Sequence, residues 1–380
     1  MQNRGMNLQK ISNKKKLNVL GIMNGTSLDG VDFVFTQIKK NAGKTAPISY
    51  VAEKSFSFPL GLRTQLQKAA QNKMTVHELG LLHHDLGRFY ASCFQKLPAA
   101  LKKIDLIGLH GQTVYHQAPL ATLQIGESSY LSAASGVPVV ADFRVGDLAL
   151  GGQGAPIATF FHQKAFAGKK RISLHNLGGI SNLSMITDKG VEAAFDTGPA
   201  NMLLDLCMQK ISKGKKSFDH KGLLAKKGKP DLDIVEKLLA HPYFYRRPPK
   251  SCGREEFGEV FLAQFWKRAS KLSAADKMAT LLEFTAWTIV LSYEQYLKRL
   301  PEKIIFCGGG AKNTTLLKRI QQLLPSVEVQ TTEDYKWPVS SIEGAAFALL
   351  AAYKIWDLPS NLPWTTGAQR KTSLGKITSV

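Results

Sequence analysis

Leu20-Gly21-Ile22-Met23-Asn24-Gly25-Thr26-Ser27-Leu28-Asp29-Gly30-Val31-Asp32-Phe33-Val34 is the stretch on which the fold turns. Leu17 to Gly21 has the composition of a short buried strand that stops at small residues, and Val31 to Ile38 that of a second strand leaving them. The turn between them is the size of a phosphate cradle. Gly25 and Gly30 permit backbone conformations closed to other residues, Thr26 and Ser27 offer hydroxyls, and Asp29 and Asp32 can hold a metal ion through water. A Walker loop would need a Lys and a following helix, so a hairpin is predicted instead. Taken alone, the same residues also suit an ordinary hairpin with a polar turn.

Outward from this hairpin, Ile48 to Phe58 predicts a third strand that completes an antiparallel meander. Pro59 to Ala70 and Val76 to Leu97 carry helical periodicity, with Leu79, Leu82, Leu86, Phe89, Tyr90 and Phe94 on one stripe. His83 and His84 on the second helix have no partner at metal-ligand spacing, so surface or capping roles are expected. Ile104 to Leu109 reads as a buried strand running into His110-Gly111-Gln112-Thr113. Leu123 to Glu127 and Val137 to Ala141 are two more strand endings, the latter leading into Asp142-Phe143-Arg144. Polar groups at such endings face the crevice of an α/β sheet, where ligands bind. Gly151 to Pro156 is a flexible loop before a helix.

A second meander follows: Arg171 to Asn176, a Gly178-Gly179 turn, Ile180 to Ile186, and Val191 to Phe195. Its turn, Asn176 to Asn182, occupies the place that Gly21 to Gly30 has in the first half. Two strand-turn-strand units predict an internal duplication, with both halves clasping one nucleotide. Helices are expected over Asn201 to Lys213, Asp231 to Leu239, Phe257 to Leu272 and Ala274 to Leu297, interrupted by a loop from Tyr245 to Arg254. Ile304 to Cys307 enters Gly308-Gly309-Gly310-Ala311-Lys312-Asn313, whose glycines let backbone lie flat against a planar or phosphorylated ligand. A helix through Leu324, another over Ile342 to Ile355, and a loop-like tail from Pro359 complete the chain.

At 380 residues and 44% hydrophobic the chain can bury a sizeable core, and its length favours two domains. No apolar run approaches a membrane span, and Met1 to Lys16 is basic without the apolar segment of a secretory signal, so a cytoplasmic protein without a membrane partner is expected. Cys93, Cys207, Cys252 and Cys307 lack CxxC spacing, which indicates neither a zinc site nor a disulfide framework. The net charge of +21 raises nucleic acid as a partner. The excess lies in short runs with no nucleic-acid-binding motif, so no such partner is expected. The field would instead favour anionic small substrates.

Phe195-Asp196-Thr197-Gly198-Pro199-Ala200-Asn201 joins a strand directly to a helix. A carboxylate there can take a proton from a hydroxyl or water while backbone amides orient it, although an N-cap role is the plainer alternative. Phosphoryl transfer needs positioning, charge neutralisation and a base. The two turns can donate amides to phosphates, Gly308 to Asn313 can bed a nucleoside, Asp29 or Asp32 can bind hydrated magnesium, and Asp196 can be the base. Asp142, Arg144, Asp147 and Glu343 are further polar groups able to contact a substrate.

Gly21 to Asp32 resembles the signature of anhydro-N-acetylmuramic acid kinases, members of the actin and sugar-kinase superfamily. The resemblance extends through His110 to Thr113, Ala141 to Arg144, Gly151 to Pro156, Asn176 to Asn182, Phe195 to Asn201, Pro248 to Glu255 and Gly308 to Asn313, from about Leu17 to Ile377. It implies a duplicated actin-like (ribonuclease H-like) α/β ATPase fold of two domains with ATP in a central cleft. Residues 17–141 with 360–380 would form one domain, 142–359 the other, and 1–16 a disordered extension. The implied reaction is ATP-dependent conversion of 1,6-anhydro-N-acetylmuramic acid to N-acetylmuramic acid 6-phosphate in peptidoglycan recycling, with Asp196 as base. Gly25, Thr26, Ser27, Leu28, Asp29, Gly30, Val31, Asp32, Asn176, Gly178, Gly179, Gly308, Gly309, Gly310 and Asn313 are the expected ATP contacts. Thr113, Asp142, Arg144 and Glu343 are the expected sugar contacts, and Asp29 and Asp32 the ligands of hydrated Mg2+. A homodimer is left open. A kinase of the same architecture for a different amino sugar is the alternative, and a nucleotide-binding regulator without chemistry is a third reading, which Asp196 disfavours. The chain departs from the family pattern at Asn24 (usually Ser), Ala200 (usually Gly) and Cys252 (usually Thr).

Overall fold

The computed structural model describes residues 8–25, 28–41, 47–168, 170–248 and 250–380. The chain divides into two compact units, one of Met1–Ala167 with Ser341–Val380 and one of Gly168–Ser340.

In the first unit, β1 (Lys16–Asn24), β2 (Gly30–Lys39) and β3 (Ile48–Ser57) form the expected antiparallel meander. Next come β4 (Leu106–Leu109), a hairpin of β5 (Gln112–Gln117) and β6 (Ala121–Ile125), and β7 (Val139–Ala141). The second unit holds β8 (Ile172–Leu177), β9 (Ile180–Thr187), β10 (Gly190–Pro199), β11 (Lys303–Cys307) and β12 (Glu328–Thr331), and β13 (Lys376–Thr378) returns to the first. The sheet orders are β13-β7-β4-β1-β2-β3 and β10-β9-β8-β11-β12. In both, the first strand of an antiparallel meander pairs in parallel with a later strand, which pairs in parallel with the next. The predicted duplication is therefore a repeat of topology.

Strand alternation divides the first sheet between two packing faces. Leu20, Ile22, Phe33 and Phe35 face a core shared with Leu66 of the helix Leu60–Ala70 and with Leu82, Leu86, Tyr90 and Phe94 of the helix Val76–Gln95. On the other face Gly21 and Gly108 are paired in register beneath the helix Ile342–Ile355. A Cβ on Gly21 would lie 1.8 Å from the Gly344 oxygen, and one on Gly108 would lie 2.2 Å from that of Phe347. The helix thus lies directly on bare backbone, which a side chain at either position would prevent. In the second unit Leu183, Phe195, Ile304 and Phe306 pack with Phe284, Ile289 and Tyr293 of the long helix Ala274–Tyr296.

Several expectations need correction. Residues 142–167 and 341–359 belong to the first unit, because the helix Ile342–Ile355 packs on β1, β2 and β4. Of the expected extension over 1–16, residues 8–12 are helical with Ile11 buried, Lys16 opens β1, and residues 1–7 lie outside the described residues. The segment after β4 is a hairpin of its own, and β12 went unforeseen. Gly30 is required by crowding, not by an unusual φ: a Cβ would meet the Phe56 oxygen at 2.4 Å. Among the described residues of that turn, Leu28 is left-handed, at φ 54°. Among the described residues no helix is long and apolar enough to cross a membrane.

Candidate active site

Asp196 lies near the end of β10, where a bulge between Asp196 and Gly198 breaks the pairing with β9. A bulge inserts one residue and re-aims the side chains beside it. Gly198, at φ 139°, allows the chain to swing from the bulge into the helix Asn201–Ile211. Asp196 is then gripped by the segment around residue 250. Its N–H donates to the Lys250 oxygen at 3.1 Å, and the Cys252 N–H donates to its Oδ2 at 3.0 Å. The Tyr243 hydroxyl donates to its main-chain oxygen at 2.7 Å. Burial pushes the carboxyl up to about 6. Glu255 pushes the same way, while the Cys252 amide and Lys250 oppose it. Cys252 acts on Asp196 through its amide, so replacing the usual Thr leaves this contact in place.

The three small-residue motifs of the second unit converge. The Asn201, Ala200 and Met202 N–H groups donate to the oxygens of Gly178 and Gly179 at 3.0–3.1 Å, so the turn after β8 caps the helix that follows Asp196. Ala200, where the family usually has Gly, has φ −109° and ψ −101° and is fully buried. Asn201 Nδ2 donates to the Leu177 oxygen at 3.0 Å. A Cβ on Gly308 would lie 2.3 Å from Asn176 Oδ1, and one on Gly310 would lie 2.7 Å from Leu177 Cβ, whereas one on Gly309 would meet nothing within 4 Å. Two of the glycines are therefore fixed by packing, and the middle one faces open space. Asn313 caps the helix Thr314–Leu323, its Oδ1 accepting from the Leu316 N–H at 3.1 Å.

In the first unit Thr26 and Ser27 lie outside the described residues. Leu28 donates its N–H to the Gly25 oxygen at 3.3 Å, and Asp32 Oδ1 accepts from the Ser55 hydroxyl at 2.5 Å. Asp32 lies on the face of β2 that carries Val34, against which Gly344 packs. The first turn of that helix bears Glu343, which is near enough to Asp32 to feel its charge. Burial pushes the Glu343 carboxyl up, Arg144 opposes this, and Asp32 adds to it. Arg144 donates to the Gly154 oxygen at 2.8 Å and approaches His110 Nε2 at 3.1 Å. Burial and the Arg144 charge hold His110 well below its ordinary value, so it is a neutral acceptor. Asp142 pairs with Lys376 at 2.5 Å, and Thr113 accepts from Gln124 at 3.2 Å. Asp147 is fully buried and accepts from the Gly154 N–H, Asn361 and Thr366, a structural role that ties down the C-terminal tail.

Asn24 gains an explanation absent from the sequence: its Nδ2 donates to the buried Tyr90 hydroxyl. Asn24→Ser withdraws that donor and should lower stability by about 1–2 kcal/mol, read as a lower urea midpoint. An unchanged midpoint would mean that Tyr90 needs no donor here. Lys250 and Tyr243 were also missed as partners of Asp196, and Tyr296 as a ring packed against Lys250 and Phe195. The Pro248 to Glu255 motif marked their neighbourhood, but only the fold brings them together.

Duplicated sheets with each meander leading through a glycine-bearing turn, and a carboxylate where the second meander meets a helix, define an actin-like, ribonuclease H-like fold of the ATPase and sugar-kinase class. The family model described as anhydro-N-acetylmuramic acid kinase matches residues 17–380. The chain belongs to that family. It is 38% identical over 376 residues to the anhydro-N-acetylmuramic acid kinase of Picosynechococcus sp., covering 95% of this chain and 99% of that one. To the Pasteurella multocida protein of the same name it is 39% identical over 368 residues, covering 94% and 96%. Among solved structures, the (R)-2-hydroxyglutaryl-CoA dehydratase component A of Acidaminococcus fermentans is similar at 13% identity, covering 89% of this chain and 99% of that one, with a TM-score of 0.42. The strand order, not this likeness, defines the class.

Proposed function

We propose that the chain uses ATP to convert 1,6-anhydro-N-acetylmuramic acid to N-acetylmuramic acid 6-phosphate, a step in reusing cell-wall peptidoglycan. The observation that carries this reading is Asp196: a strand-end carboxyl, oriented by the Cys252 amide and raised to about 6. Such a group is ionised near neutrality yet basic enough to accept a proton. It takes a proton from water as that water bonds to the anomeric carbon. The bond from that carbon to oxygen 6 breaks, and oxygen 6 bonds to the γ-phosphorus while ADP leaves.

In the first unit the Gly25 to Asp32 turn would meet the phosphates, and Thr113, Asp142, Arg144 and Glu343 the sugar. In the second, Asn176, Gly178 and Gly179 would serve the phosphates, and Gly308 to Gly310 the nucleoside. Asn313, already engaged as a helix cap, would act by holding the glycine run. Among the described residues no group of three or more His, Cys, Asp or Glu could hold a metal ion directly. Magnesium, which keeps most of its water, would have Asp29 and Asp32 as outer contacts. When bound, it would neutralise charge on the phosphates. Use of ATP carries with it a cytoplasmic location.

The test is to run the reaction in heavy-oxygen water with ATP and magnesium and weigh the product. One label at the anomeric hydroxyl is expected. Label in the phosphate, no label, or preferential turnover of another amino sugar would sink the proposal.

A further inference from the structure

Lys250 is buried, yet among the described residues its Nζ meets no hydrogen-bond acceptor. It lies instead 4.3 Å from the ring centroid of Tyr296, 4.7 Å from that of Tyr243 and 6.0 Å from that of Phe195. Ring faces attract a cation, and more strongly where water is excluded. The cage is built from residues tied to the candidate base. Phe195 precedes Asp196 in β10, and Tyr243 donates to the Asp196 oxygen. Tyr296, at the end of the long helix, donates to the Phe244 oxygen and so fastens the turn that carries Tyr243. From the lysine's own segment, the Lys250 oxygen and the Cys252 N–H grip Asp196 at 3.1 and 3.0 Å.

We propose that Lys250 is a positioning residue for Asp196: its caged ammonium pins residues 250–252 over the carboxylate and supplies the positive charge that favours its ionised form. The inference rests on Asp196 being the base. The other groups facing the site are Cys252 on the same segment, Glu255 and Glu256 on the helix Arg254–Phe257, Tyr243, and Arg246, which is paired with Glu256 at 2.7 Å. Glu255 is negative and disfavours ionisation of Asp196, so Lys250 is the cation that offsets it. Burial lowers Lys250 itself to about 8, with Cys252 and Asp196 raising it and Arg246 lowering it, so it carries its charge where Asp196 titrates.

The experiment follows the Asp196 carboxyl carbon by NMR in the full-length protein, assigned with Asp196→Asn, beside the pH profile of kcat. Lys250→Met should raise the Asp196 midpoint by about one pH unit, a tenfold change in its ionisation constant. The acidic limb of kcat should move with it, and Lys250→Arg, which keeps a caged cation, should restore both. A midpoint unmoved by Lys250→Met, or moved equally by Lys250→Arg, overturns the proposal. A midpoint that moves while the kcat limb stays put upholds the coupling and removes Asp196 as base. Should Lys250→Met fail to fold, the reciprocal measurement decides. Asp196→Asn should lower the Lys250 midpoint by a like amount, and an unmoved Lys250 resonance overturns the proposal.

Discussion

Asp196→Asn is expected to abolish ring opening and phosphorylation together, lowering turnover by about 10²–10⁴-fold. Both steps depend on one proton leaving the attacking water, so a variant that still opened the ring without phosphorylating it would place the base elsewhere. The same substitution should strengthen the fold at alkaline pH. The Asp196 carboxyl titrates at about 6 in the folded chain against an ordinary 3.8. Folding therefore favours the protonated form: its contribution is fully present below pH 3.8 and is lost as pH rises through 6. At pH 8 the ionised group costs the fold about 1–3 kcal/mol, which the amide avoids. The variant should melt higher than the parent at pH 8 and nearly level with it at pH 4. Wild-type kcat should show its acidic limb near pH 6. Equal melting at both pH values would show that burial does not perturb this carboxyl.

Gly21→Ala is expected to damage both stability and activity. The added methyl would fall 1.8 Å from the Gly344 oxygen, 2.7 Å from its carbonyl carbon and 3.0 Å from the Ala348 nitrogen. All three are helix backbone, which cannot rotate aside as a flexible side chain would. Gly108, the register partner, leaves no slack on the neighbouring strand. The helix must lift from the sheet, at a cost at or beyond the upper end of about 1–3 kcal/mol. Glu343, in its first turn, would move away from Asp32. Urea unfolding followed by hydrogen exchange should show protection lost in Ile342–Ile355 and retained in β8 to β12. Gly80→Ala is the control. A Cβ there meets nothing within 4 Å, and Ala suits a helix interior better by about 1 kcal/mol. Unimpaired activity and stability in Gly21→Ala would mean that the contact can relax.

The meanders were legible because a hairpin writes its pattern locally, in two alternating runs around small residues. Asp196 was legible because Asp-Thr-Gly-Pro stands between a strand and a helix signal. The division of the chain was not. Ile342–Ile355 is apolar on nearly every side, with most of its residues buried, so its composition does not say which sheet it covers. β12 escaped because Glu328–Thr331 is polar and only half buried. The Lys250 cage draws rings from positions 195, 243 and 296, a grouping that no spacing rule links. Asn24 looked like an irregularity until Tyr90, from a distant helix, supplied its partner.

The helix that settles on Gly21 and Gly108 also sets an order of events on the ribosome. The second unit is one uninterrupted stretch, whereas the first must wait for residues beyond 340. At about 5–20 residues per second, the hairpin that opens the chain would spend roughly 15–65 s with its glycine floor uncovered. The half begun first is thus finished last, and through that interval nascent β1 and β4 offer bare backbone that a chaperone or a neighbouring chain could engage.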